Sequence, residues 1–82
     1  MIDEKNVIED IRDFLGQFVS DPSVPIDQDL FGSGLVNSLF AMQLVLHIES
    51  QYGIVVANED LDLENFRSLQ AIGEFISVKA SQ

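Results

Sequence analysis

Apolar residues recur near the start of the chain at Val7, Ile8, Ile11, Phe14, Leu15, Phe18 and Val19, the i, i+3/i+4, i+7 spacing that gathers side chains on one helix face. The pattern predicts an amphipathic helix from Asp3 to Val19, with Asp3 and Glu4 suited to its positive N-terminal end. Pro22 and Pro25 stop it, and residues 20–37, which include Gly32 and Gly34, show no period. Loops this long inside compact domains tend to be functional or disordered. The apolar pair Leu30 and Phe31 is expected to dock on the helices and order this one.

A second helix is predicted over Ser38–Tyr52, closed by Gly53, which tolerates the left-handed cap conformation. After an extended step at Ile54, Val55 and Val56, Asn58 can cap a short third helix through Glu59, Asp60 and Leu61. Ser68 can cap a fourth, whose apolar positions are Leu69, Ile72, Phe75 and Ile76. No repeat and no adequate strand signal is visible. The expected fold is all-α, a single domain over residues 1–82 made of four helices with a long first loop and a short third helix.

On the second helix, at 100° per residue, Ala41, Leu44, Val45, Ile48 and Tyr52 share one stripe, which is assigned to the core. Leu39, Met42 and Leu46 form another, among Gln43, Glu49 and Ser50. Either the helix is buried nearly all round or this second stripe is a partner surface.

Composition narrows the function. With 82 residues the chain has one modest core, and 46% hydrophobic against 22% charged residues is globular, not disordered. The net charge of -10 has the wrong sign for nucleic acid or an anionic membrane and points to basic protein partners. No cysteine and one histidine leave neither a disulfide nor an ordinary zinc site. Acids occupy the positions where a signal peptide carries lysines, and the apolar run Leu39–Ile48 is too short to span a bilayer. A cytoplasmic monomer is expected, and a free-standing one because the chain runs from Met1 to a polar tail without a linker-like stretch.

Several motifs fail on their own chemistry. Asp27, Asp29 and Gly32 match positions 1, 3 and 6 of a calcium loop, but Phe31 and Ser38 stand where oxygen ligands and a glutamate are needed. Asp60, Asp62 and Glu64 lack the accompanying glycine and glutamate and read as a solvated acidic patch. Gly32-Ser33-Gly34 has neither a third glycine nor a phosphate-binding lysine. His47, with no partner for a triad, reads as a packing or surface residue.

What remains is Gly34-Leu35-Val36-Asn37-Ser38-Leu39, a serine where a glycine-bearing loop meets a long apolar helix. Ser38 could simply be the N-cap. Asn37 caps equally well, which would leave the Ser38 hydroxyl at the first helical position, pointing to solvent, where a phosphodiester would lie beside free N–H groups and the positive helix end. Without a neighbouring base, the serine suits modification by another enzyme better than attack on a substrate.

At these residues the chain resembles the acyl and peptidyl carrier proteins, in which a serine followed by Leu or Met at the head of the second of four helices receives 4'-phosphopantetheine from coenzyme A. The resemblance extends to Leu30 and Phe31, the acidic balance, the short third helix and the closing helix. It implies that Ser38 is the attachment point, that the arm's thiol holds cargo as a thioester, and that the protein is a carrier, not an enzyme. It implies a phosphopantetheinyl transferase and an acyl- or aminoacyl-loading enzyme as partners. Asn37 replaces the family's usual aspartate, and Gly34 lies four residues before the serine in place of three. With these features, Phe40-Ala41-Met42-Gln43-Leu44-Val45 is similar to free-standing carriers of polyketide extender units such as methoxymalonyl, hydroxymalonyl or aminomalonyl groups, which would add tailoring dehydrogenases and a polyketide synthase acyltransferase as partners. D-alanyl carrier proteins, sharing the displaced glycine and a similar Leu30-Phe31 stretch, are the alternative. Asn37, Leu39, Met42, Gln43 and Leu46 would form the partner-binding face. From a different class, an unmodified acidic helical adaptor or inhibitor remains open; it would tolerate loss of the Ser38 hydroxyl, and a carrier would not.

Overall fold

A computed structural model describes residues 3–81, and every structural statement below concerns these; the single domain expected over 1–82 includes residues 1, 2 and 82, which lie outside them. Four α-helices and no strands are found among the described residues: α1 (Glu4–Leu15), α2 (Ser38–Tyr52), α3 (Leu63–Phe66) and α4 (Leu69–Ala80), with a 3-10 turn at Asn58–Asp60 before α3. No helix is long and apolar enough to cross a membrane.

The helices start where short polar side chains satisfy free backbone N–H groups. Asp3 accepts from the Lys5 N–H on α1, Asp62 from the Glu64 N–H on α3, and Ser68 from the Ala71 N–H on α4. α2 ends at Gly53, whose φ of 65° is left-handed, as its sequence predicts.

α1 and α4 pack face to face, and Gly73 sets how closely: a Cβ there would lie 2.9 Å from Cγ1 of Ile8. Val7, Ile11 and Leu15 of α1 meet Leu69, Ile72, Phe75 and Ile76 of α4 and Phe40, Leu44 and Ile48 of α2 in one core, with Leu30 from the first loop fully buried among them. The rings of Phe66 and Phe75 meet edge to face at 5.2 Å and join α3 to it.

Three expectations are corrected. α1 stops at Leu15, four residues before Val19, because the Gln17 and Phe18 N–H groups bond to Phe14 and Leu15 in tighter i→i−3 turns. The Arg12 guanidinium, donating to the Pro22 and Val24 carbonyls at 2.7 and 2.8 Å, ties the reversing chain back against α1. Second, Asn58 does not cap an α-helix over 59–61; it opens a 3-10 turn, and the α-helical turn begins only at Leu63 under the Asp62 cap. Asp60 holds that 3-10 turn by accepting from the Ala57 N–H and pairing with Lys79 of α4 at 2.8 Å; Lys79 and the Ala57 N–H keep its carboxyl below the usual aspartate range. It is therefore not merely solvated.

Third, the core stripe of α2 is Phe40, Leu44 and Ile48, while Ala41, Val45 and Tyr52 flank it half-buried. Phe40 is the largest fully buried side chain, and it sits at the centre of an aromatic group, 5.8 Å from Phe14, 5.2 Å from Phe18 and 6.3 Å from Phe31. Phe40→Ala is accordingly expected to cost about 3–5 kcal/mol, enough to remove most of a small domain's stability. Urea denaturation followed by circular dichroism measures it.

Candidate functional site

The loop reaches α2 through a defined path. Leu30 is buried and donates its N–H to the Arg67 carbonyl at 2.7 Å, and the Val36 N–H returns to the Leu30 carbonyl at 3.2 Å, closing a compact turn. Gly34 makes the reversal with a φ of 81°, a left-handed conformation that side chains with a Cβ rarely adopt. Asn37 follows in extended conformation as the N-cap, its side-chain oxygen accepting from the Leu39 and Phe40 N–H groups at 3.1 and 3.4 Å.

Of the two alternatives the sequence left open, Ser38 is therefore the first helical residue and not the cap, with an exposed side chain whose hydroxyl makes no hydrogen bond among the described residues. One detail differs from the expectation. Two first-turn N–H groups are already taken by Asn37, so an anion on Ser38 would find the Ser38 N–H and the positive end of α2 rather than a set of open donors. Because the cap is an amide, that anion would meet no carboxylate at the preceding residue.

No base accompanies the serine. His47 lies nine residues along α2, about 13 Å by helical rise, and is engaged elsewhere. Its ring stacks on Phe14 at 4.5 Å, and its Nε2 lies 3.1 Å from the Asp10 carboxylate, which also accepts from the Tyr52 hydroxyl at 2.8 Å. Burial first, then the bond to Asp10, holds the Tyr52 hydroxyl far above its usual pKa. His47 is thus a packing residue between α1 and α2.

The second stripe of α2 is open: Leu39 is 57%, Met42 67% and Leu46 60% exposed, which excludes a helix buried all round. Asn37 and Gln43 are exposed as well, so all five residues expected to meet partners are accessible. Glu49, the acid expected on this face, is half-buried and accepts from the Val56 N–H at 3.0 Å, so it fixes the chain after α2.

Sequence reasoning missed a groove of about 220 Å³ between α2 and the segment that holds α3, walled by Met42 and Val45 on one side and Leu61, Leu63 and Phe66 on the other. The exposed Leu61 and Leu63 were a signal of it, since α3 and its approach are too short to bury them.

Comparison with known proteins adds two findings. The family model described as phosphopantetheine attachment site matches residues 5–76. The D-alanyl carrier protein of Streptococcus suis is 28% identical over 67 residues, 82% of this chain and 77% of that protein. The D-alanyl carrier protein of Streptococcus equi subsp. zooepidemicus is 32% identical over 68 residues, 83% and 84% of the two chains.

Asn37→Ala leaves the Leu39 and Phe40 N–H groups unpaired and is expected to lower stability by about 1 kcal/mol, whereas Asn37→Asp keeps the cap and adds a charge the helix end favours. Denaturant titration of the three proteins should rank Asp at or above Asn, with Ala lowest.

Proposed function

The chain belongs to the phosphopantetheine attachment site family, a non-catalytic carrier whose prosthetic group is covalent 4'-phosphopantetheine, and from that premise we propose that it carries an aminoacyl unit of the D-alanyl class as a thioester on an arm attached at Ser38. The single observation that carries the attachment point is the exposed, unpartnered Ser38 hydroxyl at the capped N-terminus of α2. The residues fit the group: the hydroxyl is accessible to a transferase, the helix end favours the phosphodiester, and Gly34 and Leu30 hold the serine in place without covering it. The bound arm supplies the thiol that a chain without cysteine lacks.

The aminoacyl cargo rests on the relatives, whose name agrees with the D-alanyl alternative and not with the extender-unit reading. A polyketide extender unit, with tailoring dehydrogenases and an acyltransferase as partners, has behind it only the similarity of residues 37–45. Family membership speaks against the unmodified adaptor.

Leu39, Met42 and Leu46, with Asn37 and Gln43, would form the surface read by the transferase and the loading enzyme in the cytoplasm. An apolar face with little charge of its own makes docking less dependent on salt than an acidic face would. Met42→Glu and Leu46→Glu, both on exposed positions, should leave the fold intact and slow loading by about tenfold or more, the loss of one buried apolar contact at an interface. Loading rates at low and high salt, beside a circular dichroism spectrum, check both points; unchanged rates would remove this face from recognition.

Attachment is tested by intact-protein mass after incubation with coenzyme A, Mg2+ and a broad-specificity phosphopantetheinyl transferase. A gain of one phosphopantetheine by the natural sequence and none by Ser38→Ala is the expected result. A gain that survives in Ser38→Ala would place the arm elsewhere. Adding D-alanine, ATP and a D-alanyl-loading enzyme to the modified protein should then add one alanyl unit.

A further inference from the structure

The Asn37 carboxamide has two ends, and the fold uses one. Its oxygen lies 3.1 and 3.4 Å from the Leu39 and Phe40 nitrogens. Both of those groups are donors, so the end facing them has to be the acceptor, and the amide nitrogen sits at the opposite end of the carboxamide. That nitrogen donates to no group among the described residues. Capping requires only the oxygen, which aspartate supplies as well. The spare N–H groups are what an asparagine adds, and they stand at the residue next to Ser38.

The surroundings keep other charges away from this donor. Residues 30–46 contain no charged side chain, although the chain holds 14 Asp and Glu and a net charge of -10. Asp29, the last acid before them, faces Arg67 at 3.8 Å. Between the first loop and the head of α2 lies a hollow of about 190 Å³ walled by Phe18, Leu35, Val36 and Leu39. Asn37 is the one polar side chain among the described residues that line it, and none of them is charged. An anion on Ser38 would therefore meet neither a carboxylate nor a cation, and the donors within its reach are the Ser38 N–H and the Asn37 amide.

We infer that the Asn37 amide donates a hydrogen bond to the phosphodiester of the arm, which makes Asn37 a positioning residue for the prosthetic group as well as the cap of α2. It can do so only with the arm at Ser38, the reading proposed above on which this inference rests. One planar group then serves both partners: its oxygen holds the N–H groups of the first helical turn, and its nitrogen holds the anion on the next residue. A hydrogen bond to a charged acceptor is roughly twice as strong as one between neutral groups, and at this exposed position water competes for it. The contact fixes the root of the arm and leaves its thiol end to swing. Aspartate in the same place would cap α2 but set a carboxylate against the phosphodiester.

The test compares unmodified and phosphopantetheinylated forms of the natural sequence, Asn37→Gly and Asn37→Asp, with modification confirmed by mass. Glycine costs little at a cap and removes the donor without adding charge, whereas aspartate keeps the cap and adds charge. In isotope-labelled protein of the natural sequence, modification should move an Asn37 side-chain amide proton downfield by more than those of Gln43, which is exposed on the same helix. Modification should also raise the melting temperature of the natural sequence by a few degrees more than that of Asn37→Gly, with Asn37→Asp gaining least. An Asn37 amide signal that stays in place on modification, or an equal gain in the natural sequence and Asn37→Gly, would overturn the inference and leave the carrier reading intact. If a variant resists the transferase, the spectrum of the natural sequence decides alone. Failure of the arm to attach at Ser38 would overturn both readings.

Discussion

Residues 16–37 form no helix, so their amides and carbonyls need partners from elsewhere, and a chain with one small core has few to give. The burial of Leu30 meets that constraint: its side chain enters the shared core of α1, α2 and α4, and its N–H finds the Arg67 carbonyl. Ile26 accepts from the Gln70 N–H at 2.9 Å, and Arg12 takes the Pro22 and Val24 carbonyls. With both ends pinned, the loop delivers Asn37 to the start of α2 in extended conformation, and the cap fixes Ser38 as the first helical residue. Remove the anchor and the serine remains in the chain but loses its place.

The charges divide the same way. Three of the four basic side chains are used inside the fold: Arg12 on the loop, Arg67 with Glu64 and Asp29, and Lys79 with Asp60. The surface is left with an excess of acid, yet the face around Ser38 is not where that excess lies. Leu39, Met42 and Leu46 make it apolar, and Glu49 is turned to backbone support. Acidity of this kind favours solubility and attracts basic surfaces, and in the function proposed above the apolar face beside the serine would supply contact at short range.

Ser38 itself is arranged to be acted upon. A nucleophilic serine needs a base within hydrogen-bond reach, and the chain's one histidine is stacked on Phe14 against Asp10 far along the helix. What the site offers is an accessible oxygen at a helix end, next to a neutral cap, with an apolar groove running away from it. Under the function proposed above it is a site for attachment, with the chemistry done by others.

The elements with a local cause could be read from the sequence. Capping by Asn37 and Ser68, the left-handed Gly53, the span of α2 and the exposed Ser38 follow from residues within a few positions of one another. So did the open stripe of Leu39, Met42 and Leu46, whose polar neighbours marked it. The facing of α2 did not, because apolar residues occupy nearly every position from Leu39 to Ile48 and no period singles out Phe40; only the rings of Phe14, Phe18 and Phe31 decide that it points inward. The early end of α1, the hold of Lys79 on Asp60 and the groove at Asp62 were likewise decided in three dimensions. Each joins residues far apart in the chain, and sequence periodicity carries information only across the few residues of a helical turn.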